Sequence, residues 1–157
     1  TGIFGEALTQ RLKQIDPAGA AGYDSRWRAF SERWRASLAR WEKAGAALKG
    51  IPVITQHRAW AYLFDWLGLR EVGTLEPKPG VEPTVAHLSL VRDQAANSRP
   101  RLVIRAAYNS ARPAEWLSAE ARLPIVVLPF TVGGTPEAKD LTTLFDDTVA
   151  RLLKPLK

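Results

Sequence analysis

From Gly2 to Ile15, apolar residues recur at helical spacing. Ile3, Phe4, Ala7, Leu8 and Leu12 share one face, and the run stops at Asp16-Pro17. A second, much longer helix is predicted from Pro17 or Ala21 to Leu48, with apolar positions at Tyr23, Trp27, Phe30, Trp34, Leu38, Trp41, Ala44 and Leu48. Trp27, Trp34 and Trp41 fall seven residues apart and therefore form one stripe. Arg26, Arg28, Arg33, Arg35, Arg40 and Lys43 occupy the other faces, with Glu32 and Glu42 among them. A basic, tryptophan-bearing helix can serve a membrane surface or a nucleic acid. The preferred reading is an aromatic seam laid across a domain, with arginine stems covering its flanks. Lys49-Gly50 supplies the stop.

After Ile51 the period changes. Pro52 to Thr55 reads as a strand and His57 to Leu67 as a helix ended by Gly68. Arg70 to Leu75 is a second strand, and a loop from Glu76 to Gly80 leads through Glu82-Pro83-Thr84 into a helix reaching Ala96. Arg101 to Arg105, Ser110 to Arg122 and Pro124 to Leu128 read as strand, helix and strand. The loop from Pro129 to Pro136 precedes a last helix from Glu137 to Leu153, with Thr135 as its N-cap. Strands alternating with helices imply βαβ units and a parallel sheet. Ile125-Val-Val-Leu128 suits a strand buried on both faces. The fold class is α/β: a helical segment over residues 1–50, then a small four-stranded parallel sheet flanked by helices over 51–157.

Composition narrows the function. The 157 residues contain no stretch apolar enough for a transmembrane helix and no signal peptide. The chain starts at Thr1 and lacks methionine, so it reads as a mature chain or an internal fragment. Without cysteine it has neither disulfides nor thiolate metal sites. The net charge of +6 is spread over both halves, with acids interleaved after residue 70, which argues against a nucleic-acid partner. Enzyme signatures are missing: there is no Gly-x-Ser-x-Gly, no His-Glu-x-x-His and no cysteine nucleophile, so no catalytic residue is assigned. Asp146-Asp147 is expected to be solvated helix surface.

Two histidines carry the candidate chemistry. His57 falls where the first strand hands over to a helix, at the carboxyl edge of the sheet, where ligands of open α/β sheets bind. A neutral imidazole there is a good zinc or manganese ligand, provided a carbonyl or carboxylate fixes its other nitrogen. The alternative role is a helix-capping histidine. His87 sits inside a helix beside apolar positions and is expected to be partly buried and hydrogen-bonded. The Gly133-Gly134-Thr135-Pro136 turn offers N–H groups to an anion, but it lacks a P-loop pattern and reads more simply as a turn.

The order of long helix, strand, His57-Arg-Ala-Trp-Ala-Tyr-Leu-Phe64, Gly68-Leu69 and Glu76-Pro-Lys-Pro-Gly-Val-Glu-Pro83 resembles the C-terminal half of the periplasmic metal-binding proteins of zinc and manganese ABC transporters. The likeness extends to Asp16-Pro-Ala-Gly-Ala20. It implies one lobe of a two-lobe, non-enzymatic binding protein, with a long connecting helix and a cleft that holds the ion. It further implies His57 as metal ligand, with Gln56, Arg105, Tyr108 and Thr131 as cleft-lining positions. The implied cargo is zinc or manganese, with no organic cofactor. The implied partners are a membrane permease and an N-terminal lobe that this chain lacks, and the implied location is the periplasm. The family usually adds an acid after the third or fourth strand. Here those segments read Ile104-Arg-Ala-Ala-Tyr108 and Leu128-Pro-Phe-Thr-Val-Gly-Gly134. Arg105 would repel a cation, so two alternatives are a lobe for a small anionic ligand, anchored by Arg105 and the glycine turn, and a non-metal interaction module built around the tryptophan helix. An ion pair between Arg105 and Glu115 is its plain structural role.

Overall fold

A computed structural model describes residues 2–156. Packing divides the chain after Arg40 into two compact units.

In the first unit, α1 (Gly2–Ile15) is followed by a single 3-10 turn and by α2 (Ala20–Gly45), which runs on past the division. A side chain at Gly5 would collide with the Trp27 ring at 2.2 Å, so only glycine lets α1 lie against that indole. Lys13 and Asp24 pair at 2.9 Å. Asp16 caps the 3-10 turn through Gly19 N and accepts from the Tyr23 hydroxyl at 2.9 Å. Trp27, Phe30 and Trp34 stack in series with centroid spacings of 5.9 Å. Of the stripe expected from the sequence, Trp27 and Trp34 stack through Phe30, which fills the step between them, while Trp41 falls in the second unit.

The second unit contains β1 (Pro52–Thr55), α3 (Ala61–Leu67), β2 (Arg70–Thr74), α4 (Val85–Ser98), β3 (Leu102–Ala106), α5 (Arg112–Ala121), β4 (Ile125–Leu128) and α6 (Leu141–Leu153). The four strands form one parallel sheet in the order β2-β1-β3-β4, the α/β class expected from the alternation. Period-two alternation along β3 sends Leu102, Ile104 and Ala106 to a core shared with Phe64, Leu67 and Leu152, whereas Val103 joins Leu88, Val91, Ala114 and Leu117 on the other face. Hence α3 and α6 cover one face and α4 and α5 the other. Burying each of the valine, leucine, isoleucine and phenylalanine side chains among these contributes about 1.5–3 kcal/mol. The end of α2 and the 3-10 turn that follows it, Ala46–Leu48, belong to this unit, and Trp41 and Leu48 are core residues at 2% and 0% exposure.

Several elements depart from the sequence reading. The long helix is shorter: 3-10 turns occupy Pro17–Gly19 and Ala46–Leu48. β4 is an edge strand: Val126 and Leu128 are buried on one face, while on the other Ile125 packs against the α4–α5 core and is only partly buried, so its cover is thinner than that of the inner strand β3. α6 starts after Asp140, not at Glu137. The Asp140 carboxylate accepts from Thr143 N while the Thr143 hydroxyl accepts from Asp140 N, a reciprocal cap that outcompetes Thr135. Thr135 instead donates to Asp147 at 2.6 Å, and Arg151 reaches the same Asp147 oxygen at 2.7 Å and Glu137 at 2.8 Å. Asp147 is therefore buried at 9% exposure and ties the β4–α6 loop to the helix, and its neighbour Asp146 accepts from the Trp41 indole. Neither is the solvated surface group expected.

Candidate metal-binding edge

β1 leads to β2 on one side and β3 lies on its other side, so the chain reverses direction at β1. The loops after β1 and β3 enter helices on opposite faces, which opens a crevice at their carboxyl ends. His57 follows β1 at that point. It precedes its helix: α3 begins at Ala61, and residues between β1 and Trp60 form a tight bend closed by Ala59 N donating to His57 O at 3.0 Å. Trp60 explains the late start, because its ring is drawn into the core at 7% exposure and it has no side-chain oxygen to cap a helix.

The His57 ring is 30% exposed, and its Nδ1 lies 2.8 Å from Glu76 Oε2 in the loop after β2. The same oxygen accepts from Gly80 N at 2.9 Å. His57, Arg58, Thr74, Glu76 and the turn from Pro77 to Pro79 line a pocket of about 170 Å³. His57 Nε2 has no hydrogen-bond partner among the described residues. Arg58 pairs with Glu71 at 3.3 Å, and the Thr55 hydroxyl donates to that same carboxylate. His87 is half-buried, with Nε2 at 3.3 Å from Thr74 O, in keeping with the hydrogen-bonded role expected of it.

The other named positions make the following contacts. Gln56 is buried at 4% exposure and works as a stitch across the crevice: its N–H donates to Ile104 O and its Nε2 to Ser110 O at 2.9 Å, with Oε1 left unpartnered. Arg105 turns back on its own loop, donating from one guanidinium nitrogen to the carbonyls of Ala106 and Asn109, each at 3.2 Å. No ion pair joins it to Glu115 among the described residues. Tyr108 is exposed, with its ring edge-on to Phe130 at 5.5 Å, and Phe130 in turn meets Trp60 at 6.2 Å. Thr131 is exposed, and its carbonyl accepts from Gly134 N. Gly133 N donates to Ala138 O, so both glycine N–H groups of that turn are already used and the turn offers no anion nest.

The edge thus has a polar zone at β1–β2, built on His57 and Glu76, and an aromatic zone of Trp60, Tyr108 and Phe130 over β3–β4. Sequence reasoning assigned no role to Glu76, Trp60 or Phe130. The signal for Glu76 was its place in a Glu-Pro-x-Pro-Gly turn directly after a strand. No three histidine, aspartate or glutamate side chains cluster for a metal among the described residues.

Residues 2–154 match the model of a family described as the periplasmic zinc-uptake complex component A. The chain belongs to that family. The family is one of solute-binding transport components and not of enzymes. A crystal structure of ZnuA is similar to the chain at a TM-score of 0.76 and 20% identity, covering 94% of this chain and 55% of that one. A Cd-bound periplasmic metal-binding protein from Candidatus Liberibacter asiaticus aligns at 0.78 and 18%, over 99% and 60%. The solute-binding protein FpvC from Pseudomonas aeruginosa in complex with Mn2+ aligns at 0.71 and 22%, over 97% and 59%. At these identities the likeness is one of fold. The chain spans little more than half the length of these solved chains. A search of curated proteins finds no match.

Proposed function

We propose that this chain is one lobe, with its connecting helix, of an extracytoplasmic solute-binding protein that captures zinc or manganese and hands it to an ABC permease in the membrane. The observation that carries this reading is the His57 imidazole. It stands at the strand-reversal edge with Nδ1 engaged by a carboxylate and Nε2 without a partner among the described residues. Family membership supports it, as do structural neighbours described with Cd, Mn2+ and Ni2+. Zinc is the favoured cargo, because imidazole nitrogen ranks zinc above manganese. One imidazole does not make a zinc site, which takes about four donors. The remaining ligands therefore belong to the rest of the protein or to water. The anionic-ligand alternative loses the glycine turn, whose two N–H groups donate to backbone carbonyls, whereas Arg105 engages only one guanidinium nitrogen with the carbonyls of Ala106 and Asn109 and keeps a buried Nε without a partner.

Titration calorimetry of the full-length protein with zinc and with manganese, beside His57→Ala, tests the proposal. Stoichiometric binding that weakens by at least about tenfold in the variant is expected, that being the scale of even an indirect loss at a metal site. Binding of neither ion, or unchanged affinity without the imidazole, refutes it.

A further inference from the structure

We infer that Glu76 is the positioning residue that makes His57 an Nε2 ligand, and that the turn ending at Gly80 holds Glu76 ready for that task. This rests on the metal-binding reading above.

An ionised carboxylate only accepts hydrogen bonds. With Glu76 Oε2 at 2.8 Å, His57 Nδ1 carries the proton, and the lone pair of the neutral ring resides on Nε2. His57 lines the pocket at the sheet edge, and its Nε2 has no partner among the described residues. A carboxylate behind a metal-bound imidazole fixes its tautomer and orientation and raises its basicity.

The carboxylate is itself placed by its own loop. Pro77 and Pro79 fix φ through the turn, and Val81 N closes it onto Lys78 O at 3.0 Å. Gly80 adopts φ +76°, a left-handed conformation natural to glycine, and from there its N–H reaches Glu76 Oε2 at 2.9 Å. At 15% exposure the carboxylate is shielded more than the ring it serves. The nearest arginine in sequence to His57, Arg58, is occupied by Glu71. Glu76 is therefore committed to His57 before any ion arrives.

The test uses the full-length protein with Glu76→Gln and Glu76→Ala. Zinc affinity is read by competition with a chromophoric chelator, the His57 tautomer by 15N shifts in the metal-free protein, and folding by the urea midpoint. Glu76→Ala is expected to lose about 10–100-fold in zinc affinity and the Nδ1–H preference, with Glu76→Gln intermediate because its amide oxygen still accepts. Wild-type affinity in Glu76→Ala, or an unchanged tautomer there, overturns the inference. Should the alanine variant not fold, the glutamine variant decides by the same two readouts. If the wild type binds no zinc, the metal reading fails on its own, while the tautomer of His57 in the variants still decides the role of Glu76.

Discussion

The indole N–H of Trp41 donates to the Asp146 carboxylate at 2.7 Å, joining the last turns of α2 to α6 across 105 residues of sequence. The ring is 2% exposed, stacked on Phe145 at 5.0 Å and edge-on to Trp66 at 6.3 Å. Trp41→Phe keeps most of the apolar contact but leaves a carboxylate oxygen short of its donor. A loss of about 1.5–3 kcal/mol is expected, against about 3–5 kcal/mol for Trp41→Ala, which also opens a cavity. Urea unfolding of the two variants checks both the size and the order. Equal losses would mean that the hydrogen bond, not the packing, dominates.

Arg99 and Arg122 end α4 and α5 in the left-handed region, with φ of 46° and 52°. Both side chains are exposed, so little packing offsets the steric cost of that conformation. Replacing either with glycine is expected to raise stability by about 0.5–1 kcal/mol, and the two gains should add if the sites are independent. Denaturant midpoints of the single and double variants measure this. A loss at either site would show that its arginine makes a contact that outweighs the strain.

Asp140 caps α6, and the hydrogen bonds it receives from Thr143 hold its carboxyl below the ordinary carboxylate range. A folded-state pKa below the unfolded one contributes stability that is complete above the unfolded pKa, near 3.9 for aspartate, and is lost as pH falls through the folded value. Asp140→Asn retains a neutral cap without this titration. Wild type is therefore expected to exceed the variant in stability at neutral pH by a margin that shrinks under acid. Urea titrations at neutral pH and near pH 3 compare the two, and a gap independent of pH would refute the assignment.

Much of the fold was legible because it is written in local periodicity. The switch from helical spacing to β-branched runs at Ile51, the glycine stop at Gly68 and the apolar runs at Leu102 and Ile125 place the second unit's elements to within a few residues. His57 was placed at the strand's carboxyl edge by the same logic. Its helix start was not legible, since the bend from Gln56 to Trp60 is set by Trp60 entering the core and by Glu76 holding the ring. Nor does adjacency in sequence reveal that the Arg105 guanidinium folds back onto Asn109 O. Asp147 looked solvated because the helical pattern does not reveal that Thr135 and Arg151 converge on it.

By itself, the sequence determined the α/β class, the parallel sheet, the aromatic stripe of the long helix and the candidate imidazole, since each depends on residues close along the chain. Only the tertiary structure decided which two strands lie central, which face each helix covers, and what each polar group of the edge bonds. Those outcomes depend on pairings such as His57 with Glu76 and Gln56 with Ser110, in which burial makes an unpaired polar group costly and so selects partners far apart in sequence.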